Sequence, residues 1–172
     1  MNITQQCRLL YNENFGDGDL EFENLFFENC FEYCRLEAVD EKVVSMLFAL
    51  PCEIIFDGGA EDAIYLFAAA TKSEFRKKGY MSALIKRLML ESNKPIILRP
   101  ANQALIGFYQ KIGFNAFSAQ AAKEVTPILK PKDNFLKLAE KIGKDEEETF
   151  KLMCCGIKSE KLQGLYFPYS ME

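Results

Sequence analysis

Arg76, Lys77 and Lys78 run directly into Gly79 within Thr71-Lys-Ser-Glu-Phe-Arg-Lys-Lys-Gly-Tyr-Met-Ser82, and a basic turn with one glycine is a candidate anion cradle. The elements around it fit that chemistry. Ala63-Ile-Tyr-Leu-Phe-Ala-Ala-Ala70 is short, apolar and strand-like, and after Gly79 the residues Met81, Leu84, Ile85 and Leu88 recur at helical spacing. No carboxylate appears between Gly79 and Glu91. The first turn of that helix therefore offers unpaired N–H groups and the positive end of its dipole to an anion. A diphosphate suits such a turn. The chain has neither a GxxxxGK[ST] loop nor a GxGxxG turn, and Gly16-Asp-Gly18 lacks the third glycine and is followed by acids.

A second segment follows at short distance: Ile96-Ile-Leu-Arg-Pro-Ala-Asn102, then Gln103-Ala-Leu-Ile-Gly-Phe-Tyr109-Gln-Lys-Ile-Gly113-Phe114. Pro100 and Asn102 break and cap, Leu105, Phe108, Tyr109 and Ile112 form one helical face, and Gly113 is placed to end the helix. Taken alone, Tyr109 reads as an amphipathic core residue, the commoner fate of a Tyr on an apolar stripe. The two segments together resemble motifs A and B of the GCN5-related N-acetyltransferases. The acetyl-CoA signature of that superfamily, Arg/Gln-x-x-Gly-x-Gly/Ala, stands here as Arg76-Lys-Lys-Gly79-Tyr80-Met81, with Met81 in place of the last small residue. Asn102 and the Phe108-Tyr109 pair are in register with motif B.

The resemblance implies a single domain over residues 1–172, with motif A at 63–91, motif B at 95–117 and a less similar tail at 120–172. It implies an α/β fold with a mixed, mostly antiparallel sheet, flanking helices and splayed central strands. It further implies transfer of an acetyl group from acetyl-CoA to an amine by direct attack. The backbone of Ala69, Ala70 and Thr71 would then hold the pantetheine arm, Arg76, Lys77, Lys78, Gly79, Tyr80, Met81 and Ser82 would hold the pyrophosphate, and Asn102 would contact the CoA arm. Tyr109 would bond the thioester sulfur and protonate the leaving thiolate. A non-catalytic acyl-CoA-binding module of the same fold is the alternative, motivated by Lys77 and Met81 where small residues are usual and by the want of an obvious base. Glu53, Glu61 and Asp62 are the nearest acids in sequence, and the base stays unassigned.

At 172 residues the chain can bury about 70% of its unfolded surface. The net charge of -4 argues against a general nucleic-acid or membrane-surface binder. There is no run of the ~20 apolar residues that would cross a bilayer and no signal-peptide pattern at the amino terminus, so a cytoplasmic location is expected. Histidine is absent, which eliminates Ser-His and Cys-His triads and His-based metal sites, and the six cysteines form no CxxC pair. No metal is expected. Cys30 and Cys34 read as small buried hydrophobes on one helix.

The expected element order is β-α-β-β-β-α-β-α-β. It begins with a strand at 7–11 and a helix capped by Asp19 that runs through Cys34. Strands at 43–50 and 52–56 and a turn at Asp57-Gly58-Gly59 lead into the strand at 63–71. In the tail, a short helix at 135–142, a last paired strand at 150–155 and an edge segment at 165–169 are expected, with Pro168 excluding a central strand. Between Glu13 and Glu41 there are ten acids and one basic residue, Arg35. In the resembled family this segment borders the acceptor, so either a cationic amine or a merely solvated helix face is expected. The wide apolar face of the same helix, or the terminal segment, offers a homodimer surface.

Overall fold

The computed structural model describes residues 1–171. Asn2 starts the first helix, because its side chain accepts from the Gln5 backbone N–H at 2.9 Å while Gln5 Oε1 accepts from the Asn2 N–H at 3.1 Å. This reciprocal cap satisfies two donors that a helix start leaves open. Helix α1 (Ile3–Phe15) therefore occupies the stretch for which a strand at 7–11 is expected, and it buries Cys7, Leu10 and Tyr11 at helical spacing. Helix α2 (Leu20–Cys30) is capped by Asp19 as the sequence predicts. It stops at Cys30, however, and Cys34 opens strand β1 (Cys34–Val39), which the sequence reading missed. The hairpin after β1 turns on Asp40 and Glu41, both at positive φ. Without a glycine the turn carries no usual hairpin signature.

Strand β2 (Lys42–Phe56) is one strand where two are expected. Its first half pairs with β1 and its second half with β6 (Ile128–Pro131), another strand unforeseen in the sequence. Pro51 sits where one partner has ended and the next begins, and its carbonyl accepts from Lys132 N–H on that side at 3.0 Å. The missing proline N–H faces the same gap, so no ladder bond is lost. A two-residue turn at Asp57-Gly58 leads into β3 (Gly59–Thr71). Then come α3 (Tyr80–Ser92), β4 (Ile96–Leu98), α4 (Gln103–Ile112) and β5 (Asn115–Gln120), near their expected places. After β6 follow α5 (Asp133–Ala139), β7 (Thr149–Cys155) and β8 (Leu165–Tyr166).

The strand order is β1-β2-β3-β4-β7-β5-β8-β6, and the β2–β6 pairing closes the sheet on itself. Pairs β3–β4, β5–β8 and β6–β8 are parallel and the rest antiparallel. The segment at 165–169 is consequently no edge: β8 lies between β5 and β6, and Pro168 follows the strand instead of interrupting it. Closure also places strands 43–50 and 63–71 between two apolar layers, which explains why they read as nearly continuous hydrophobic runs. Met46, Phe48 and Leu50 face the larger core with α1 and α2, while Leu47 and Ala49 face the smaller core under α3 and α4.

Phe26 of α2 ties that helix to both long strands, with its ring 4.5 Å from Phe48 and 5.2 Å from Phe67 between centroids. It is fully buried. Phe26→Ala is expected to cost about 3–5 kcal/mol, measured as a drop in the urea midpoint at unchanged slope; a loss under about 1 kcal/mol would contradict this packing.

Candidate active site

Strands β3 and β4 run in parallel register only as far as Leu66 and Leu98. Two features part them. Pro100 has no N–H with which to extend the ladder beyond Arg99, and β3 carries a bulge in which Ala68 and Ala69 together oppose Leu47 of β2. Ala68 adopts φ +49, the left-handed region that a non-glycine residue enters at a cost. Bulges bend a strand and increase its local twist. From Phe67 to Thr71, β3 consequently keeps its β2 partner but has none on the β4 side.

The opening is a cleft of about 730 Å³. Its walls include Ala69, Ala70 and Thr71 from β3, Arg76, Lys77 and Gly79 from the loop, Tyr80, Met81 and Ser82 from α3, and Asn102 and Tyr109 from the motif B segment. Of the residues the sequence nominates to hold acetyl-CoA, Lys78 alone stands off the wall: its ammonium lies 5.0 Å from the Phe75 ring centroid. Gly79 sits at φ +88, and no side chain caps the start of α3. A Cβ built on Gly79 would meet no atom within 4 Å, so the space above the helix start is open. With no acid in its first turn, α3 directs its terminal N–H groups into the cleft mouth. These groups fit a diphosphate.

Arg76 is braced within the protein. Its Nε donates to the Thr71 carbonyl at 3.1 Å and its Nη2 to Asn14 Oδ1 at 2.9 Å, which ties the loop to β3 and to α1. Ser45, fully buried, lies 2.8 Å from the Thr71 hydroxyl and donates to the Ala70 carbonyl at 3.2 Å, fixing the same strand end from the β2 side. Met81 packs on the α3/α4 core, and the cleft stays open beside it. Asn102 caps α4 by accepting from the Leu105 N–H at 3.1 Å, and Gly113 ends that helix at φ +114.

Tyr109 is 6% exposed. Its ring is held edge-on by Phe108 and Phe114, at 5.1 Å and 5.6 Å between centroids. Burial pushes the phenol up to about 12, so it keeps its proton across the working range. Its hydroxyl has no hydrogen-bond partner among the described residues, yet no fully buried side-chain oxygen or nitrogen among them goes unpaired. The hydroxyl must therefore reach open space, which at this position is the cleft.

A second cavity, of about 290 Å³, adjoins the first and shares Phe15, Ala69, Ala101, Leu105 and Tyr109 with it. The residues missed in the sequence lie at this junction: Tyr11, Asn14 and Phe15 on α1, and Met171 from the tail. The Asn2-x-x-Gln5 spacing was the available signal for α1, and nothing local marked Met171. The three acids considered as bases do not line either cavity. Asp62 accepts from Lys132 at 2.7 Å, which holds its carboxyl below the usual range, Glu53 lies 4.0 Å from Lys130, and Glu61 is exposed on the outer part of β3. Nor do the acids of α2 line them; Glu23 is buried against Arg8 at 3.1 Å. Among the described residues no group of three or more metal-ligating side chains occurs, and no helix is long and apolar enough to cross a membrane.

The family model described as an acetyltransferase (GNAT) domain matches residues 5–117, more than half of the chain. No curated protein matches it in sequence. Among solved structures, a probable N-acyltransferase from Enterococcus faecalis is 18% identical with a TM-score of 0.57, over 69% of this chain and 33% of that one. The chain thus spans about a third of that protein's length. The ribosomal-protein-S18-alanine N-acetyltransferase from Escherichia coli is 18% identical with a TM-score of 0.51, over 100% of this chain and 92% of its own. Arabidopsis thaliana Naa50, solved with the bisubstrate analogue CoA-Ac-MVNAL, is 16% identical with a TM-score of 0.52, over 88% and 90%. At these identities the structural likeness speaks to the fold, and the domain match carries the family: the chain belongs to the GNAT acetyltransferases.

Proposed function

We propose that the protein transfers the acetyl group of acetyl-CoA to a primary amine. The observation that carries this reading is the cleft at the parted strands, with open helix-start amides at one end and the unpartnered Tyr109 hydroxyl at the other. Acetyl-CoA would supply an activated acyl carbon and a thiol leaving group. The N–H groups at the start of α3 would hold its pyrophosphate, with Lys77 beside them, and the unpaired edge of β3 at Ala69 to Thr71 would bond the pantetheine arm as an added strand does. Arg76 would act as a brace of the loop. Support for the ligand class also comes from the Arabidopsis relative, solved with a CoA-containing analogue.

Tyr109 would donate a hydrogen bond to the sulfur as negative charge develops there. Handing over the whole proton to a thiolate of pKa about 8.5 would be uphill by about 5 kcal/mol for a phenol near 12. Stabilisation by a donated hydrogen bond is thus the main role. Among the described residues no carboxylate lines either cavity, and Tyr11, also pushed up to about 12 by burial, is no base near neutrality. The amine would reach the acyl carbon neutral or lose its proton to water.

Tyr109→Phe is expected to lower kcat about 100-fold with little change in acetyl-CoA affinity by calorimetry; unchanged turnover would remove Tyr109 from the chemistry. Gly79→Val forces a β-branched residue into φ +88 and should weaken acetyl-CoA binding about ten-fold or more. Full affinity in that variant would put the diphosphate elsewhere; binding by the unaltered protein without turnover would favour the non-catalytic acyl-CoA-binding module, and no binding at all would overturn both readings.

A pH profile follows from the same groups. The proton-bearing form of Tyr109 is the active one, its pKa is raised, and that form is lost only as pH passes about 12. With an acceptor amine of pKa about 10, kcat/KM should climb with pH and show no falling limb below about pH 10. A bell-shaped profile centred near neutrality would contradict this assignment.

A further inference from the structure

Two acceptors hold the Arg76 guanidinium on the wall of the larger cleft, and neither is an acid: the Thr71 carbonyl, and the amide oxygen of Asn14 in the last turn of α1. Among the described residues Arg76 forms no salt bridge with a carboxylate. The acids near it in sequence are engaged elsewhere or turned to solvent. Glu74 accepts from the Ser73 hydroxyl at 3.1 Å, Asp17 accepts from the Asp19 N–H at 2.9 Å, and Glu13 is exposed.

The orientation of the Asn14 amide follows from its two neighbours. Its Nδ2 donates to the Leu10 carbonyl at 2.9 Å, a group that can only accept, and a guanidinium can only donate. The amide oxygen must therefore face Arg76. Helix α1 has no cation of its own in its last turn, so the guanidinium also meets the carbonyl end of that helix dipole. A guanidinium has five N–H donors, and the internal bonds use two of them. The remaining donors and the positive charge stay available beside the open amides at the start of α3.

An aspartate in place of Asn14 would hold Arg76 at least as firmly, because a carboxylate accepts a charge-assisted bond. It would also cancel the charge that attracts a diphosphate. The amide gives the hold without the cancellation. We propose that Asn14 is a positioning residue for the acetyl-CoA diphosphate: it fixes Arg76 through a neutral acceptor, so that the guanidinium stands ordered and uncompensated where the pyrophosphate would lie. This rests on the acetyl-transfer reading for the identity of the ligand. It also links α1, whose Tyr11 and Phe15 border the second cavity, to the cofactor end of the cleft.

The test is calorimetric titration of acetyl-CoA into the full chain and into its Asn14→Asp, Asn14→Ala, Arg76→Ala and Asn14→Ala/Arg76→Ala variants, at about 50 mM and about 1 M salt, with the urea midpoint of each. Asn14→Asp is expected to weaken acetyl-CoA about ten-fold at low salt while the urea midpoint holds or rises, and the loss should shrink to about two-fold at high salt. Asn14→Ala keeps the charge but frees the Arg76 side chain, and should weaken binding about five-fold. In the Arg76→Ala background the same change should cost nothing further, as expected of a residue that acts through Arg76. Full affinity in Asn14→Asp, a loss that salt leaves unchanged, or an Asn14→Ala loss that persists without Arg76 overturns the proposal and leaves the transferase reading standing. Failure of the unaltered chain to bind acetyl-CoA overturns that reading itself, and the proposal with it.

Discussion

The point at which β3 and β4 stop sharing hydrogen bonds governs the rest of the molecule. Up to Leu66 and Leu98 the two are ordinary parallel neighbours; beyond it Pro100 ends one ladder and the Ala68-Ala69 bulge bends the other. Unpaired backbone of this kind is normally a hazard, since buried N–H and C=O groups must find partners. Here the gap is kept open and given walls. Helix α3 starts at its mouth, α4 lays Tyr109 along it, and α1 closes the far side with Asn14 and Phe15. The small side chains of Ala68, Ala69 and Ala70 leave room for a ligand beside the strand.

What keeps the gap from collapsing is the support on its other sides. Ser45 fixes the end of β3 from β2, and Arg76 links Thr71 to Asn14 across the loop. With β1 along its first half and β6 along its second, β2 has partners on both edges for nearly its whole length and is a firm support for β3. The strained φ of Ala68 can persist because both neighbouring segments are held in register. Arg99, immediately after β4, is anchored to the 145–147 turn, which steadies the opposite lip.

The parts of this architecture that were legible in the sequence are those set by local chemistry. Gly79 before an apolar helix, Asn102 before Leu105 and Gly113 after Ile112 are signals that act over a few residues, and each marks the terminus the structure shows. The residues nominated for the CoA arm, the pyrophosphate and the thioester line the cleft, Lys78 excepted. The errors arise where long-range pairing decides. Residues 7–11 are apolar enough to pass for a strand until the Asn2/Gln5 cap is noticed, and β1, of which Cys34 alone falls in the expected helix, goes unread because its turn at Asp40-Glu41 lacks glycine. Pro51 suggested a break in β2, yet the break lies in its partners and not in the strand. The closing of the sheet, which pairs Cys52 with Pro131 and Ile55 with Ile128, and the arrival of Met171 at the second cavity depend on contacts between residues far apart in the chain, which no local pattern encodes.

The central claim is that one ligand, acetyl-CoA, occupies the gap between the parted strands. Amide hydrogen exchange followed along the chain with and without acetyl-CoA tests it most directly, because the claim names the amides that gain partners. Slower exchange at Tyr80, Met81 and Ser82 together with Ala69 to Thr71, and little change on the outer β2–β6 face, is the predicted result. Protection that leaves α3 and the end of β3 untouched would contradict the account.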